Sequence, residues 1–334
     1  MEYRPAAADF SRLEQAKARQ QRCFSFLCAA HVIKWRRQKT RTGGQGSLAE
    51  RQNTKKRRRW LLPAAVLLAG AAWFENFTLS SSTFHVRSRA LPAAFAGLRV
   101  VQISDLHGRR FDADSRYLLE LVRRKCPDLI ALTGDLADEF TDLSMLPPLL
   151  RGLTALAPTF YVTGNHEWVL SREKRQALFA LLDDAGVIRL PNDYRRLEKG
   201  GASIVIAGVD DRNGPYDQKR PAQLVREIRA ACGKDAYILM LSHRNDELDG
   251  WASMGVQTVL CGHGHGGIVR LPFIGAVFGT HMDLFPDYTA GVYPKGQTSM
   301  VVSRGLGGSR KLPLRIGNRP EIVTIILETE TGEI

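Results

Sequence analysis

The sequence predicts an α/β fold, in which buried strands alternate with helices along the chain. Two observations support this prediction. From Leu98 to Gly267, short apolar runs with strand propensity are separated by segments with helical spacing. Alternation of this kind is typical of sheets flanked by helices. After Gly267 the helical signal stops and short strand-like pieces follow, which indicates that part of the sheet system is antiparallel.

The same patterns predict the individual elements. Uninterrupted apolar runs indicate the strands, and apolar residues three and four positions apart indicate the helices. The predicted strands are Leu98–Ile103, Leu129–Leu132, Thr159–Val162, Ser203–Val209, Tyr237–Leu241, a strand from Val256, Ile268–Leu271, Ser299–Ser303 and Ile322–Leu327. The predicted helices are Ser115–Lys125, Leu143–Leu156 after a Pro-Pro interruption, Arg172–Ala185, Pro221–Ala231 and Asp246–Met254.

The positive charge of the chain is concentrated near its beginning. The chain has 334 residues and a net charge of +13, and residues 1–59 hold 16 Lys and Arg against four acidic residues. The remainder holds 31 basic and 30 acidic residues, so the body is nearly neutral. Because the excess positive charge lies in the N-terminal residues, it is only weak evidence that the body binds nucleic acid. We do not expect a nucleic-acid partner. Five cysteines without framework spacing predict no disulfide scaffold.

Three segments are predicted from this distribution. Residues 1–54 form a basic arm, which is either disordered or a surface helix followed by a tail. Residues 55–79 form a signal anchor or transmembrane segment, and residues 80–334 form the remaining domain. The anchor is predicted because a basic cluster, Lys55–Arg59, precedes 15 uncharged residues, Trp60–Phe74.

The predicted anchor is short. A spanning helix usually needs about 20 apolar residues, and residues 60–79 reach that length only if Glu75 lies near an interface. The positive-inside rule then predicts a single-pass protein with a cytoplasmic N-terminus and an extracytoplasmic domain. Two alternatives remain open. One is a twin-arginine-like export signal, since Arg57–Arg59 precede an apolar stretch with small residues, and the other is a buried segment of a soluble domain.

Metal-capable side chains follow five of the predicted strands. In open α/β sheets, ligands bind beyond the carboxyl ends of the strands, so these side chains are expected to converge there. The stretch Gly262–Gly267 is the densest of these sites, because two histidines lie two residues apart among glycines that let the backbone bend. The residues concerned are Asp105, His107, Asp135, Asn165, His166, His243, His263 and His265.

The side-chain types indicate the chemistry. The set mixes carboxylate, amide and imidazole donors and requires no thiolate, which suits Mn²⁺, Fe, Zn²⁺ or Co²⁺ better than a structural zinc site, with Mn²⁺ favoured. Eight donors are about enough for two ions that share a bridging carboxylate. A pair of such ions supplies the Lewis acidity for in-line displacement at phosphorus.

The ordered motifs resemble the calcineurin-like metallophosphoesterase superfamily. They are Asp105-x-His107, Gly134-Asp135, Gly164-Asn165-His166-Glu167, His243 and Gly262-His263-x-His265. Later stretches resemble the membrane-anchored or exported bacterial YkuE-like branch, which includes some UDP-2,3-diacylglucosamine hydrolases. These stretches are Gly266-Gly267, Arg270-Leu271-Pro272, Gly291-Val292-Tyr293, Arg304-Gly305-Leu306-Gly307 and Leu312-Pro313-Leu314-Arg315.

The resemblance implies a four-layer αββα sandwich with two divalent metal ions at its rim. It implies that Asp105, His107 and His265 hold the first metal. It implies that Asn165, His243 and His263 hold the second, with Asp135 bridging both. His166 is expected to contact the phosphoryl oxygen or protonate the leaving group and not to bind metal. Glu167 is expected to orient a neighbouring side chain.

Substrate contacts are expected from three arginines and one apolar loop. Arg109 and Arg110 follow the first motif and could hold a phosphate or be solvated. Arg244 stands in a loop where the branch often has Asn-Pro-Asp, so its contact with substrate is open. The stretch Leu271–Phe285 is unusually apolar for a loop beside a polar site, and is either core packing or a lip for an acyl chain or a bilayer surface.

The sequence therefore predicts a metal-dependent hydrolase of phosphoester or pyrophosphate bonds. A lipid-linked substrate, such as UDP-2,3-diacylglucosamine or a phospholipid, is favoured because of the anchor and the apolar lip. One alternative is a broad phosphodiesterase or phosphatase for soluble nucleotides or other phosphoesters at the cell surface. The other is a non-catalytic envelope binding protein, which a complete ligand set with His166 disfavours.

Overall fold

The structure is a computed structural model, and it describes residues 63, 66–67, 69–280, 282–308 and 315–330. The chain divides into two compact units, Met1–Val66 and Leu67–Ile334. Almost all of the first unit lies outside the described residues. The predicted basic arm and most of the predicted anchor therefore lie outside them as well.

A six-stranded mixed sheet forms one half of the second unit. Its strand order is β1-β14-β2-β3-β4-β5. Strands β2 to β5 are parallel, β14 is antiparallel to β2, and β1 is parallel to β14. These strands are β1 (Ser80–Ser88), β2 (Arg99–Ile103), β3 (Leu129–Thr133), β4 (Thr159–Val162), β5 (Ile188–Arg189) and β14 (Glu321–Thr329).

A second six-stranded mixed sheet has the order β12-β13-β9-β8-β7-β6. Its central strands are parallel, and both edge strands, β6 and β12, run antiparallel to their neighbours. A separate antiparallel hairpin is formed by β10 (Val269–Leu271) and β11 (Gly275–Phe278). The strands of the second sheet are β6 (Asp193–Lys199), β7 (Ala202–Gly208), β8 (Ile238–Leu241), β9 (Thr258–Cys261), β12 (Gly291–Lys295) and β13 (Thr298–Val302).

Helices cover the outer face of each sheet. Residues 69–77 form α1. The others are α2 (Arg116–Arg123), α3 (Leu146–Leu156), α4 (Asn165–Val169), α5 (Arg172–Asp184), α6 (Pro221–Cys232) and α7 (Leu248–Ser253). Short 3₁₀ turns lie at Ala93–Phe95 and Leu143–Met145.

The burial of alternate strand residues divides the core into three layers. On β3, Leu129 and Ala131 point into a cluster shared by both sheets, whereas Ile130 and Leu132 pack with the helices α2, α3 and α5. The strands of the second sheet also alternate between the shared cluster and an outer cluster, in which their side chains pack against α6 and α7. This arrangement is the predicted αββα sandwich. Both strand faces are buried, which explains why the parallel strands read as continuous apolar runs.

Most predicted elements occur within two residues of their expected bounds. The predicted Pro-Pro interruption is wrong, because Pro147 and Pro148 lie in the first turn of α3, where a missing N–H costs no helical hydrogen bond. Strands β1, β5, β6, β11 and β12 were not predicted. For β6 the reason is physical: it is a polar edge strand with little buried surface, so its sequence lacks an apolar run.

The helix α1 covers the described part of the predicted anchor. Its residue Asn76 is buried, and Leu79, just after it, belongs to the core. The end of this segment therefore contributes side chains to the domain. Among the residues described, no helix combines the length and the apolar character needed to cross a bilayer.

Candidate dinuclear metal site

The two sheets meet at one rim, where the candidate ligands lie. Gln102 of β2 donates its side-chain amide to the carbonyl of Cys261 on β9, which ties the two sheets at the ends of those strands. Loops after β2, β3 and β4 of the first sheet approach loops after β8 and β9 of the second. His263 N–H donates to the carboxylate of Asp105 at 3.0 Å, which joins the first motif to the last. Six of the eight predicted strand-end residues lie in these loops, and Asn165 and His166 begin the helix α4 that follows β4.

One group of candidate ligands combines Asp105, His107 and His265. One donor atom of each lies within 4.8 Å of the other two. The Asp105 Oδ1 and His265 Nε2 atoms are 3.8 Å apart, and the rings of His107 and His265 stack with centroids 5.0 Å apart. This group is the predicted first-metal set.

A second group combines Asp135, His243 and His263. The His243 Nε2 atom lies 3.1 Å from Asp135 Oδ2 and 3.2 Å from His263 Nδ1. Asn165 Oδ1 lies 3.1 Å from the same His243 nitrogen. Together with Asn165, this group contains the residues of the predicted second-metal set and the predicted bridge.

Asp135 belongs to a further group with His107 and His166. Its Oδ2 atom lies 3.6 Å from His107 Nε2, so the carboxylate faces the first group as well as the second. His166 N–H donates to Asp135 Oδ1 at 2.9 Å, and its ring meets that of His107 edge-on. His166 is thus close enough either to join a metal shell or to donate a proton at the rim.

The backbone at these positions is unusual. Five of the candidate ligands have positive φ angles. This conformation costs energy for residues other than glycine, and it is concentrated at functional sites. Gly262 is required for a related reason, because a Cβ there would overlap the side chains of Ser104 and Asp105. The five ligands are Asp105, His107, Asp135, His263 and His265.

Glu167 organises two of the loops from a fully buried position. Its carboxylate accepts the N–H groups of Leu136 and Gly164 at 2.7 Å and that of Asp135 at 3.0 Å. Burial, and then the charge of Asp135, raise the pKa of Glu167 to about 7. The residue fixes the backbone that presents Asp135.

The electrostatics of the rim favour a cation. Burial opposes ionisation of both Asp135 and His243, but their mutual attraction lowers the pKa of Asp135 and raises that of His243 to about 10. Burial lowers the pKa values of His107 and His265, which leaves neutral imidazoles suited to bind a metal. The rim therefore combines an ionised carboxylate at Asp135 with neutral imidazoles at His107 and His265.

The residues fit the metals that the sequence implies. The buried Nε2 atom of His107 has no hydrogen-bond partner among the described residues, although it faces Asp135. Neighbouring nitrogen ligands at about 2.1 Å from one ion lie about 3.0–3.4 Å apart. The contacts of His243 Nε2 with Asp135 and His263 fall within that range. A divalent ion would satisfy these donors.

The three candidate arginines lie in different surroundings. Arg109 donates to the carbonyl of Asn76 and packs over Phe77 and Phe111, and Arg110 pairs with Asp142 at 2.9 Å. Arg244 alone contacts a candidate ligand, with its Nη1 atom 3.5 Å from His263 Nε2.

Several residues at the site were missed by the sequence reasoning. Asp138 lies 3.8 Å from His107 Nδ1, and Asp211 holds Arg244 through contacts of 2.7 and 3.1 Å. The carbonyl of Thr133 lies 2.9 Å from His243 Nδ1, which directs the other ring nitrogen to the rim. Asp211 follows the predicted strand Ser203–Val209 by two positions, which is a usable signal for that residue, but a backbone carbonyl leaves no trace in the sequence.

Comparison with known proteins identifies the family of the chain. Residues 98–267 match the calcineurin-like phosphoesterase family, and the chain belongs to that family. It is therefore a metal-dependent phosphoesterase. The matched range includes all eight candidate residues at the rim.

Three relatives are similar over most of this chain. An uncharacterized metallophosphoesterase, YkuE of Bacillus subtilis, is 29% identical over 80% of this chain and 94% of its own length. Phosphodiesterase YaeI of Escherichia coli is 28% identical over 81% of this chain and 98% of its own length. A transmembrane protein with metallophosphoesterase domain of Bos taurus is 28% identical over 74% of this chain and 56% of its own length.

Proposed function

We propose that this chain hydrolyses phosphodiester or pyrophosphate bonds of a lipid-linked substrate at a pair of divalent metal ions, with Mn²⁺ favoured. The single observation that carries the metal pair is the position of Asp135, which lies within ligand distance of both histidine groups. Asp105, His107 and His265 hold the first ion, and Asn165, His243 and His263 hold the second. Mixed carboxylate, amide and imidazole donors suit Mn²⁺, Fe, Zn²⁺ and Co²⁺.

His166 is the proposed proton donor to the leaving group. The bound ions supply Lewis acidity at phosphorus. His166 lies beside Asp135 at the start of α4, where its N–H is fixed by that carboxylate. Its side chain is only partly buried, so a substrate can reach the ring. A positioned imidazole of this kind typically contributes about 10²–10⁴-fold to the rate.

Arg244 is the proposed contact for a substrate phosphate oxygen. Asp211 holds it through Nε and Nη2, which leaves the Nη1 end directed towards His263. Arg244 also lines two clefts, one of about 250 Å³ that includes His243 and one of about 240 Å³ that includes His263. A diester or pyrophosphate has two groups to place on either side of phosphorus, and two clefts flank this guanidinium. Arg109 and Arg110 are weaker candidates because their contacts lie elsewhere.

The exposure of the loop after the last histidine supports a lipid-linked substrate. Phe273 and Ile274 stand fully or largely exposed at the tip of the β10–β11 hairpin. An antiparallel backbone bridge between Phe278 and Leu284 joins the hairpin to the following loop. That loop lines the cleft beside His263. Contiguous exposed apolar side chains of this kind usually contact a partner, a ligand or a membrane. The exposed residues are Leu271, Phe273, Ile274, Met282, Leu284, Phe285 and Ile316.

The proposed location follows from the basic cluster Lys55–Arg59 and the apolar segment Trp60–Phe74 that comes after it. A cell-membrane protein with a cytoplasmic N-terminus would present residues 80–334 outside the cytoplasm. Export through a twin-arginine-like signal is the alternative. A reporter that is active only outside the cytoplasm, fused after Ile334, is expected to be active. Activity of a cytoplasm-specific reporter at that position would contradict both routes.

A broad phosphodiesterase for soluble nucleotides or other phosphoesters is the second candidate function. The relative YaeI is named a phosphodiesterase, and its similarity to this chain covers 98% of its own length, which favours this alternative. The deciding experiment compares turnover of bis-p-nitrophenyl phosphate with that of a UDP-linked diacyl sugar. A higher kcat/KM for the acylated substrate supports the lipid-linked proposal. Equal or lower values favour the soluble one, and no metal-dependent turnover of either would leave only a binding protein.

A further inference from the structure

Arg315 is a buried arginine whose guanidinium bonds to main-chain carbonyls. Its side chain donates to the carbonyls of Arg304 at 2.8 Å, Gly307 at 3.0 Å and His265 at 3.4 Å. Only 3% of the residue is exposed. Burial, and then the charge of Arg109, lower its pKa to about 9, so it stays charged at neutral pH. A buried charge is tolerated only where its donors are satisfied, so these loops are held tightly around it.

Among these carbonyls, that of His265 lies in a loop that presents a proposed first-metal ligand, and those of Arg304 and Gly307 lie in the loop after β13, which packs against the loop of Asp105. His265 is itself that ligand, and Asn318 also donates to its carbonyl at 2.8 Å. On the other side, the N–H of Gly307 donates to the carbonyl of Asp105. Gly305 has a φ of 67° and packs directly against the Asp105 side chain, so a larger residue there would displace it. One guanidinium thus joins the loop of Asp105 to the loop of His265.

The backbone of Arg315 is held in turn by Asn76, at the end of α1. The Asn76 Oδ1 atom accepts the N–H of Arg315 at 2.8 Å, and Nδ2 donates to the carbonyl of Arg315 at 3.0 Å. The same Nδ2 donates to the carbonyl of Ala72 within α1 at 2.7 Å. The helix before the sandwich is therefore connected to the two first-metal loops through one buried side chain.

We infer that Asn76 and Arg315 are positioning residues for the first metal, so that the contact between Asn76 and Arg315 sets the affinity of that site. This inference rests on the proposed metal pair. Groups that orient metal ligands from outside the shell typically change metal affinity by about 10–100-fold when removed. The second-metal ligands are held by other groups, such as the carbonyl of Thr133 for His243. The effect is therefore expected at one site and not at both.

The test measures Mn²⁺ affinity of full-length metal-free protein by titration, with unbound Mn²⁺ followed by electron paramagnetic resonance. Two backgrounds separate the sites: His263→Ala leaves the first-metal ligands intact, and His265→Ala leaves the second-metal ligands intact. In the His263→Ala background, Asn76→Ala and Arg315→Lys are each expected to weaken the remaining site about 10–100-fold. In the His265→Ala background, both are expected to stay within about 2-fold.

Arg319→Ala is the matched control. Arg319 also ties the end of α1 to the domain, through Thr78 Oγ1 and the carbonyl of Leu79, but within the described part of the chain its guanidinium contacts neither first-metal loop. It is expected to leave Mn²⁺ affinity unchanged in both backgrounds. Asn76→Asp keeps the acceptor for the Arg315 N–H and is expected to fall between Asn76→Ala and the unsubstituted protein.

Two results would overturn the inference while the metal pair stands. One is an unchanged Mn²⁺ affinity of the first site in Asn76→Ala. The other is a loss of Mn²⁺ affinity that is not specific, because it is equal in both backgrounds or is also seen in Arg319→Ala. If Arg315→Lys does not fold, as judged by circular dichroism, the Asn76 variants decide the question alone. Absence of Mn²⁺ binding by the unsubstituted protein would instead contradict the proposed function, and the inference with it.

Discussion

The metal-site rim and the apolar loop beside it differ in how their side chains are held. At the rim, Asp135 is buried and contacted by His243 and by the N–H of His166. At the loop, Phe273 and Ile274 project from a hairpin tip with most of their surface exposed. Rigid, buried groups suit a reaction whose geometry must be fixed in advance. Exposed apolar groups suit selection of a partner or substrate. We therefore expect the rim to determine the reaction and the loop to determine which substrate is preferred.

The largest effect is expected from the bridge. Asp135→Asn removes the negative charge that both histidine groups face, so metal content and activity should fall together. Losing a metal's Lewis acidity amounts to several kcal/mol, or about 10³-fold or more in kcat. Metal content is measured by elemental analysis and kcat with bis-p-nitrophenyl phosphate. Retention of two metals per chain would contradict the bridging role.

His166 tests whether the rim contains a proton donor distinct from the ligands. His166→Ala is expected to lower kcat about 10²–10⁴-fold while metal content stays near that of the unsubstituted protein. Substrates with p-nitrophenolate as leaving group should be affected less, since that group needs little protonation. Loss of metal in this variant would show that His166 is a ligand, which its position beside His107 and Asp135 also allows.

Arg244 lies between the two regions and tests the substrate side of the rim. A hydrogen bond to a charged group contributes about 1.5–3 kcal/mol, so Arg244→Met is expected to raise KM about 10–100-fold with little change in metal content. Arg110→Met is the matched control, because Arg110 is paired with exposed Asp142. Equal effects of the two substitutions on KM would remove the case for a specific phosphate contact.

The smallest and most selective effect is expected at the hairpin tip. Each methylene buried against an apolar surface contributes about 0.8 kcal/mol, so losing two such contacts lowers kcat/KM about tenfold. Phe273→Ser with Ile274→Ser should therefore depress turnover of a UDP-linked diacyl sugar about tenfold and leave bis-p-nitrophenyl phosphate hydrolysis within a few-fold. Similar losses on both substrates would mean that the hairpin supports the site and does not select lipid.

The rim was more predictable from the sequence than its supports. Asp105, His243 and His265 follow apolar strands, and strand ends in an α/β sheet converge by topology. Arg315 and Asn76 could not be predicted in this way, because they act through main-chain carbonyls and are 239 positions apart. The expected αββα layers were found, but polar edge strands such as β6 carry no apolar pattern and were missed.

The central claim is that two ions at one rim are required for phosphoester hydrolysis. Metal-free protein, prepared with a chelator, is titrated with Mn²⁺ while hydrolysis of bis-p-nitrophenyl phosphate and bound metal are measured together. We expect no hydrolysis without metal and a rate that reaches its plateau at two bound ions per chain. Hydrolysis that persists in chelator, or a plateau at one bound ion, would show that a pair of ions is not required.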